Sequence, residues 1–177
     1  MVFQQHQLIG RLTAFANVLT GRLGHHGTLR SLLPLSVAEK HLALDALDRV
    51  GMLDLALRRA DQLSGGQQQR VGIARALAQA PTLILADEPV ASLDPATAER
   101  VLALLHDICR QDGLSAIVSL HQVELARSFA DRMIGIGGGC VVFDGPPAAL
   151  NEAAIRLIYG GVAPAVVPAS PILETTV

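Results

Sequence analysis

The chain has 177 residues, 50% hydrophobic and 17% charged, with a net charge of −2. That length suits one domain with a sizeable core, and the near-neutral balance excludes the global basic field of a nucleic-acid binder. No run reaches the roughly 18 apolar residues of a membrane span, and Gln4, Gln5, His6 and Gln7 stand where the apolar region of a signal peptide would begin.

In chain order, Val2-Phe3-Gln4 reads as the end of a strand running into a loop. Residues 12–23 read as a helix with Leu12, Phe15, Ala16 and Leu19 on one face. Residues 24–34 read as a loop, and its His25-His26 pair as exposed, since two adjacent histidines rarely converge on one metal without further ligands. Ser36 and Glu39 have capping-box spacing and open a helix that Gly51 closes. A short helix covers residues 53–58. The first acidic residue is Glu39, after Arg11, Arg22, Arg30 and three histidines. Two readings of that bias stay open: chance, and a docking face for a membrane-embedded partner or an anionic leaflet.

Ser64 and Gln67 repeat the capping-box spacing around Gly65 and Gly66, which carry no side chains to block an approaching group. A helix N-terminus with bare N–H groups and a positive dipole end is a phosphate site. The plain alternative is a glycine-rich turn capping an ordinary helix. That helix is expected over residues 67–80, with Pro81 stopping it. Residues 82–86 read as a buried parallel strand ending in Asp87 and Glu88. Ligands of open α/β sheets sit beyond such carboxyl ends. Asp94-Pro95 starts the next helix, which ends near Gly113. Residues 116–120 read as another buried strand with His121 at its end. A helix over 123–130, a hairpin around Gly137-Gly138-Gly139 and a helix over 150–159 follow. Residues 161–177 read as a loose tail, and Cys109 and Cys140 as reduced core thiols.

Leu63-Ser64-Gly65-Gly66-Gln67, continued by Gln68-Gln69-Arg70, resembles the signature motif of the ATP-binding-cassette (ABC) ATPases. Leu83-Ile84-Leu85-Ala86-Asp87-Glu88 resembles their Walker B strand. The resemblance covers about residues 2–160 and implies an α/β fold. That fold is a RecA-like P-loop NTPase core, incomplete at its N-terminal strands, with an inserted all-helical signature subdomain. The implied parts are 1–8 (Q-loop and strand end), 9–80 (helical subdomain), 81–160 (remaining core) and 161–177 (tail). The cofactors implied are ATP and Mg²⁺. Asp87 and Gln4 would face the metal, Glu88 would orient and polarise the attacking water, and His121 would contact the γ-phosphate. Ser64, Gly65, Gly66, Gln67 and the D-loop Asp94 would close over nucleotide bound by a second ATP-binding subunit. Further implied partners are membrane permease subunits and, indirectly, a periplasmic solute-binding protein, with the chain peripheral on the cytoplasmic face of the inner membrane. Leu120-His121-Gln122-Val123, Phe143-Asp144-Gly145-Pro146-Pro147 and Ile158-Tyr159-Gly160 look like the phosphonate-import branch. Amino-acid and other anion importers are the rivals within the family.

The phosphate loop GxxxxGK[ST] does not occur in these residues. The one lysine, Lys40, lies between Glu39 and His41 with no glycine near it. The chain looks like an ABC ATPase that begins at an internal methionine. In the family's sheet the phosphate-loop strand lies between strands 116–120 and 133–136, so both are expected to have unpaired edges. Two other functions remain: a non-catalytic module lending a signature half-site, and a coiled-coil DNA-maintenance ATPase. The latter ranks last, since neither heptad arms nor a basic face is present.

Overall fold

The computed structural model describes residues 1–3, 7–27 and 34–160. The expectations for Gln4 and for the tail from residue 161 lie outside the described residues. The described residues divide into two compact units, one up to residue 121 and one from residue 122.

Each α-helix of the first unit starts on a side-chain cap. Thr13 precedes α1 (Ala14–Leu19) and its hydroxyl accepts from Ala16 N at 3.1 Å. Ser36 precedes α2 (Val37–Arg49) and Ser64 precedes α3 (Gly65–Leu77), both in complete capping boxes. Asp94 precedes α4 (Pro95–Asp112), with proline at the first helical position. Such caps are worth ~1 kcal/mol each and fix where a helix begins. The far ends are set by Gly51 and Gly113, both at φ +66°, where a residue with a Cβ would be strained.

α1, α2 and α3 pack on one another around Val18, Leu47, Val50, Met52, Val71 and Ile73, all buried. Each such side chain contributes roughly 1.5–3 kcal/mol on burial. The inward face of α1 is Ala14, Asn17 and Val18, not the expected Leu12, Phe15, Ala16 and Leu19. The helix is one six-residue segment that tightens into a 3₁₀ stretch over Thr20–His25, too short for apolar spacing to decide its orientation. Asn17 decides it instead. Its Oδ1 accepts from Ile9 N at 2.8 Å, and its Nδ2 donates to the carbonyls of Ile9 (3.2 Å), Leu12 (3.4 Å) and Thr13 (3.0 Å). A buried carboxamide with both ends satisfied is tolerated where an unpaired one would cost about 1–3 kcal/mol. The His25-His26 pair is not uniformly exposed: His25 is, but His26 is half-buried and pairs through Nε2 with Glu39 at the start of α2.

Three parallel strands form the sheet of this unit: β1 (Val2–Phe3), β2 (Leu83–Asp87) and β3 (Ser115–Ser119), in the order β1-β2-β3. Phe3 and Ser119 flank Asp87 in register. Burial along β2 alternates: Ile84 and Ala86 are buried, whereas Leu83 and Leu85 are 45% and 41% exposed. In β3, Ile117 is 63% exposed. Both strands were expected to be buried. In β2 one face is covered and the other is not, and β3 has no buried residue on either face, although parallel sheets are ordinarily covered on both faces. Among the described residues β3 also has a strand neighbour on one side only.

The second unit holds α5 (Val123–Phe129), an antiparallel hairpin of β4 (Met133–Gly137) and β5 (Cys140–Gly145), and α6 (Glu152–Tyr159). The hairpin is a two-stranded sheet of its own. α6 lies against both strands. A Cβ at Gly137 would stand 2.3 Å from Leu157 O, so only glycine allows this approach. Arg132 clamps Asp144 by two hydrogen bonds of 2.7 Å. Asp144 is thereby held below the usual carboxylate range. The two thiols differ, against the expectation of two core cysteines: Cys109 is buried on α4, and Cys140 opens β5 exposed. The turn next to Gly139, not core packing, sets the position of Cys140.

Candidate nucleotide site

Two clusters carry the candidate residues. The first lies at the carboxyl ends of β2 and β3. Ser119, in register with Asp87 across the parallel pair, donates its hydroxyl to Asp87 Oδ1 at 2.8 Å. The Ser119 hydroxyl oxygen also accepts from Glu88 N at 2.9 Å. Glu88 has φ +43°, a left-handed conformation uncommon outside glycine. Backbone of this kind costs of order 1–3 kcal/mol and persists where its surroundings over-determine it. Here the Ser119 hydroxyl and the turn that pairs Ala91 N with Glu88 O at 3.2 Å do so. His121 Nε2 stands 2.5 Å from Glu88 Oε1. His121 is largely exposed and Glu88 half-buried, so the pair opens to solvent on the histidine side. The site thus presents two adjacent carboxylates, one steered by a hydroxyl and one touching an imidazole.

The second cluster is the N-terminus of α3. The Gln67 side chain accepts from Ser64 N at 2.9 Å, and Ser64 Oγ accepts from Gln67 N at 3.4 Å. Gln68 Nε2 donates to the carbonyls of Ala60 (3.1 Å) and Leu63 (3.0 Å), tying the helix start to the turn before it. The glycines have a second use that sequence reasoning missed. A Cβ on Gly66 would stand 2.5 Å from Thr97 Cγ2, and one on Gly65 would stand 3.2 Å from Leu93 Cδ2. What closes on them within the chain is the start of α4. Asp94 caps α4 by accepting from Thr97 N at 3.0 Å. The Thr97 hydroxyl and N–H together hold the Asp94 carboxyl below its usual range. The N-termini of α3 and α4 therefore meet at an exposed edge, the second already capped by the Asp94 carboxylate.

Asp87, Glu88 and His121 come together in one cluster, and Ser64, Gly65, Gly66, Gln67 and Asp94 in the other. Gln4 lies outside the described residues. Neither Ser119 nor Thr97 was foreseen. Ser119 is placed only by the strand register, which sets it opposite Asp87, the last residue of β2. Thr97 was readable only as the third residue of a capped helix. No group of three or more His, Cys, Asp or Glu side chains able to hold a metal occurs among the described residues. A magnesium ion does not require one. It is usually bound by one or two carboxylates with substrate phosphates and water, and the exposed hard oxygens of Asp87 fit that chemistry.

Comparison with known proteins gives the family. The family model described as ABC transporter matches residues 1–91, just over half of the chain. The chain belongs to the ABC transporter family. The phosphite import ATP-binding protein PxtA of Stutzerimonas stutzeri is 62% identical over 174 residues, covering 97% of this chain and 63% of that protein. The phosphonates import ATP-binding protein PhnC 3 of a Nostoc species is 62% identical over 160 residues, covering 90% of this chain and 61% of that protein. The chain thus spans rather more than six tenths of each relative's length. Among solved structures, the dimeric ATP-binding cassette MJ0796 bound to ADP and Pi superposes with a TM-score of 0.66 at 38% identity. The match covers 82% of this chain and 61% of that one. The P-loop NTPase fold of the ABC cassettes is therefore the fold of this ABC chain.

Proposed function

We propose that this chain carries the signature and catalytic-acid portion of the ATP-hydrolysing subunit of an importer for phosphonate, phosphite or a related small anion. The observation that carries the reading is the juxtaposition of Asp87, Glu88 and His121 at the carboxyl ends of two adjacent parallel strands. Asp87 is the metal-facing acid. Magnesium, when bound, neutralises charge on the phosphates. Glu88, half-buried with its carboxylate against His121, orients and polarises the attacking water. His121, with Gln4, senses the terminal phosphate. Ser64, Gly65, Gly66 and Gln67, with Asp94 beside them, close over nucleotide held by a second subunit, the N–H groups of Ser64 and Gln67 tied in the capping box and those of Gly65 and Gly66 outside it. The import names of the relatives support the anion class. The MJ0796 cassette, dimeric and bound to ADP and Pi, supports nucleotide and dimer. No helix among the described residues is long and apolar enough to cross a membrane. Docking on membrane permease subunits at the cytoplasmic face follows from the same reading.

In the assembled importer, Glu88→Gln should keep ATP binding and lower turnover by about 10²–10⁴, the usual worth of a positioned base. Turnover near that of the parent would remove Glu88 from the role. A second reading has its own observation: the sole lysine, Lys40, lies on α2. A chain acting only as a signature half-site should give no saturable micromolar binding when titrated alone with Mg-ATP in a calorimeter. Micromolar binding would exclude that reading.

A further inference from the structure

We propose that Ser119 is a positioning residue for the paired acids: its hydroxyl sets the orientation of the Asp87 carboxylate and the backbone of Glu88 together. This rests on the reading of Asp87 and Glu88 as the metal-facing and water-facing acids. A serine hydroxyl has one proton to give and lone pairs to accept with. Here the proton goes to Asp87 Oδ1 at 2.8 Å, and Glu88 N–H is accepted at 2.9 Å. Both bonds cross from β3 to the end of β2, and both partners are consecutive residues. One oxygen therefore fixes the rotation of the first carboxylate and the direction in which the second leaves the strand. A bond accepted from the N–H holds Glu88 at φ +43°, a conformation that glutamate does not favour. With the Asp87 Oδ1 engaged by Ser119, the orientation of the carboxylate's other oxygen is fixed as well.

The same strand end carries His121, two residues on, against the Glu88 carboxylate. Glu88 is thus gripped twice, at its backbone by Ser119 on β3 and at its side chain by His121 just beyond that strand. The sequence-level motif contains the histidine and not the serine. Substrate placement within an ångström decides large factors in rate, so a hydroxyl that fixes two acids at once belongs to the site's supporting shell.

The test uses the 177-residue chain without nucleotide, so its outcome is separate from that of the ATPase reading. Ser119→Thr and Ser119→Val have nearly the same shape and differ in the hydroxyl, and Ser119 is exposed, which leaves room for the added methyl. Amide exchange at Glu88 is followed by NMR, with the Asp87 side-chain carboxyl carbon as a second signal. Ser119→Val and Ser119→Ala should speed Glu88 exchange about tenfold or more, the loss expected from removing one hydrogen bond of ordinary worth. Both should also shift the Asp87 carboxyl signal, while Ile84 and Ala86 amides keep their rates. Ser119→Thr should restore both readouts. Unchanged Glu88 exchange in Ser119→Val, or equal acceleration along the whole of β2, would overturn the proposal.

Discussion

Replacing Gly66 by alanine brings two opposed effects into one side chain. Alanine is favoured over glycine within a helix by about 1 kcal/mol, and Gly66 lies in the first turn of α3. Against that, the new Cβ would stand 2.5 Å from Thr97 Cγ2, roughly 1.3 Å inside the ordinary carbon–carbon contact near 3.8 Å. Thr97 cannot easily rotate away, because its hydroxyl and N–H are both engaged by Asp94. Overpacking of this size costs about 1–3 kcal/mol. The net expectation for Gly66→Ala is a loss of up to about 2 kcal/mol in urea melts followed by far-ultraviolet circular dichroism. Thr97→Ser removes the clashing methyl and keeps the hydroxyl on Asp94. In that background Gly66→Ala should change sign and stabilise by up to about 1 kcal/mol. The double-mutant cycle isolates the contact. If Gly66→Ala costs the same in the parent and in the Thr97→Ser background, the packing of α3 on α4 is not what makes this glycine necessary.

Three further outcomes follow from other parts of the molecule. The Asp94 carboxyl is held low by Thr97, so the stability it adds is complete above the ordinary aspartate range near 3.9 and lost as pH falls through its lowered native value. Asp94→Asn keeps a cap at α4 and should remove that part of the slope in urea midpoints measured between about pH 5 and pH 2. Cys140, exposed, should react promptly with an aromatic disulfide reagent. Cys109, whose thiol is pushed up by burial and by nearby Asp112, should react only as the chain opens. Equal rates for the two thiols would contradict their placement. Alternate amides of β3 should exchange fast while those of α3 stay protected, since among the described residues β3 pairs on one side only. Uniform protection along β3 would mean that its outer edge is paired.

The helix starts at Ser36, Ser64 and Asp94 were legible because a cap is a local arrangement: the side chain bonds a backbone group three residues away. Gly51 and Gly113 were legible as stops for the same reason. α3 begins at Gly65, where the cap puts it, and not at Gln67. What depended on distant residues was hidden. The burial of β2 and β3 is decided by what covers each sheet face, which an apolar run does not encode. The inward face of α1 is set by the four hydrogen bonds of Asn17, a residue that periodicity treats as outward-facing. The motif acids and the histidine were visible as types at strand ends. Ser119 needed the strand register, and the Gly66–Thr97 contact needed the packing of two helices.

The carboxamide of Asn17 also makes a demand on any replacement. Three carbonyl oxygens converge on its Nδ2 and one backbone N–H on its Oδ1. Aspartate matches the shape but would turn an oxygen toward three oxygens, glutamine is one methylene too long, and leucine satisfies none of the four. Four bonds from one side chain close the stretch from Ile9 to Asn17 into a small ring. That ring holds residues 9–17 together as one braced turn ahead of α1. α1, anchored in this way at its start, packs on α3, the helix that begins after Ser64.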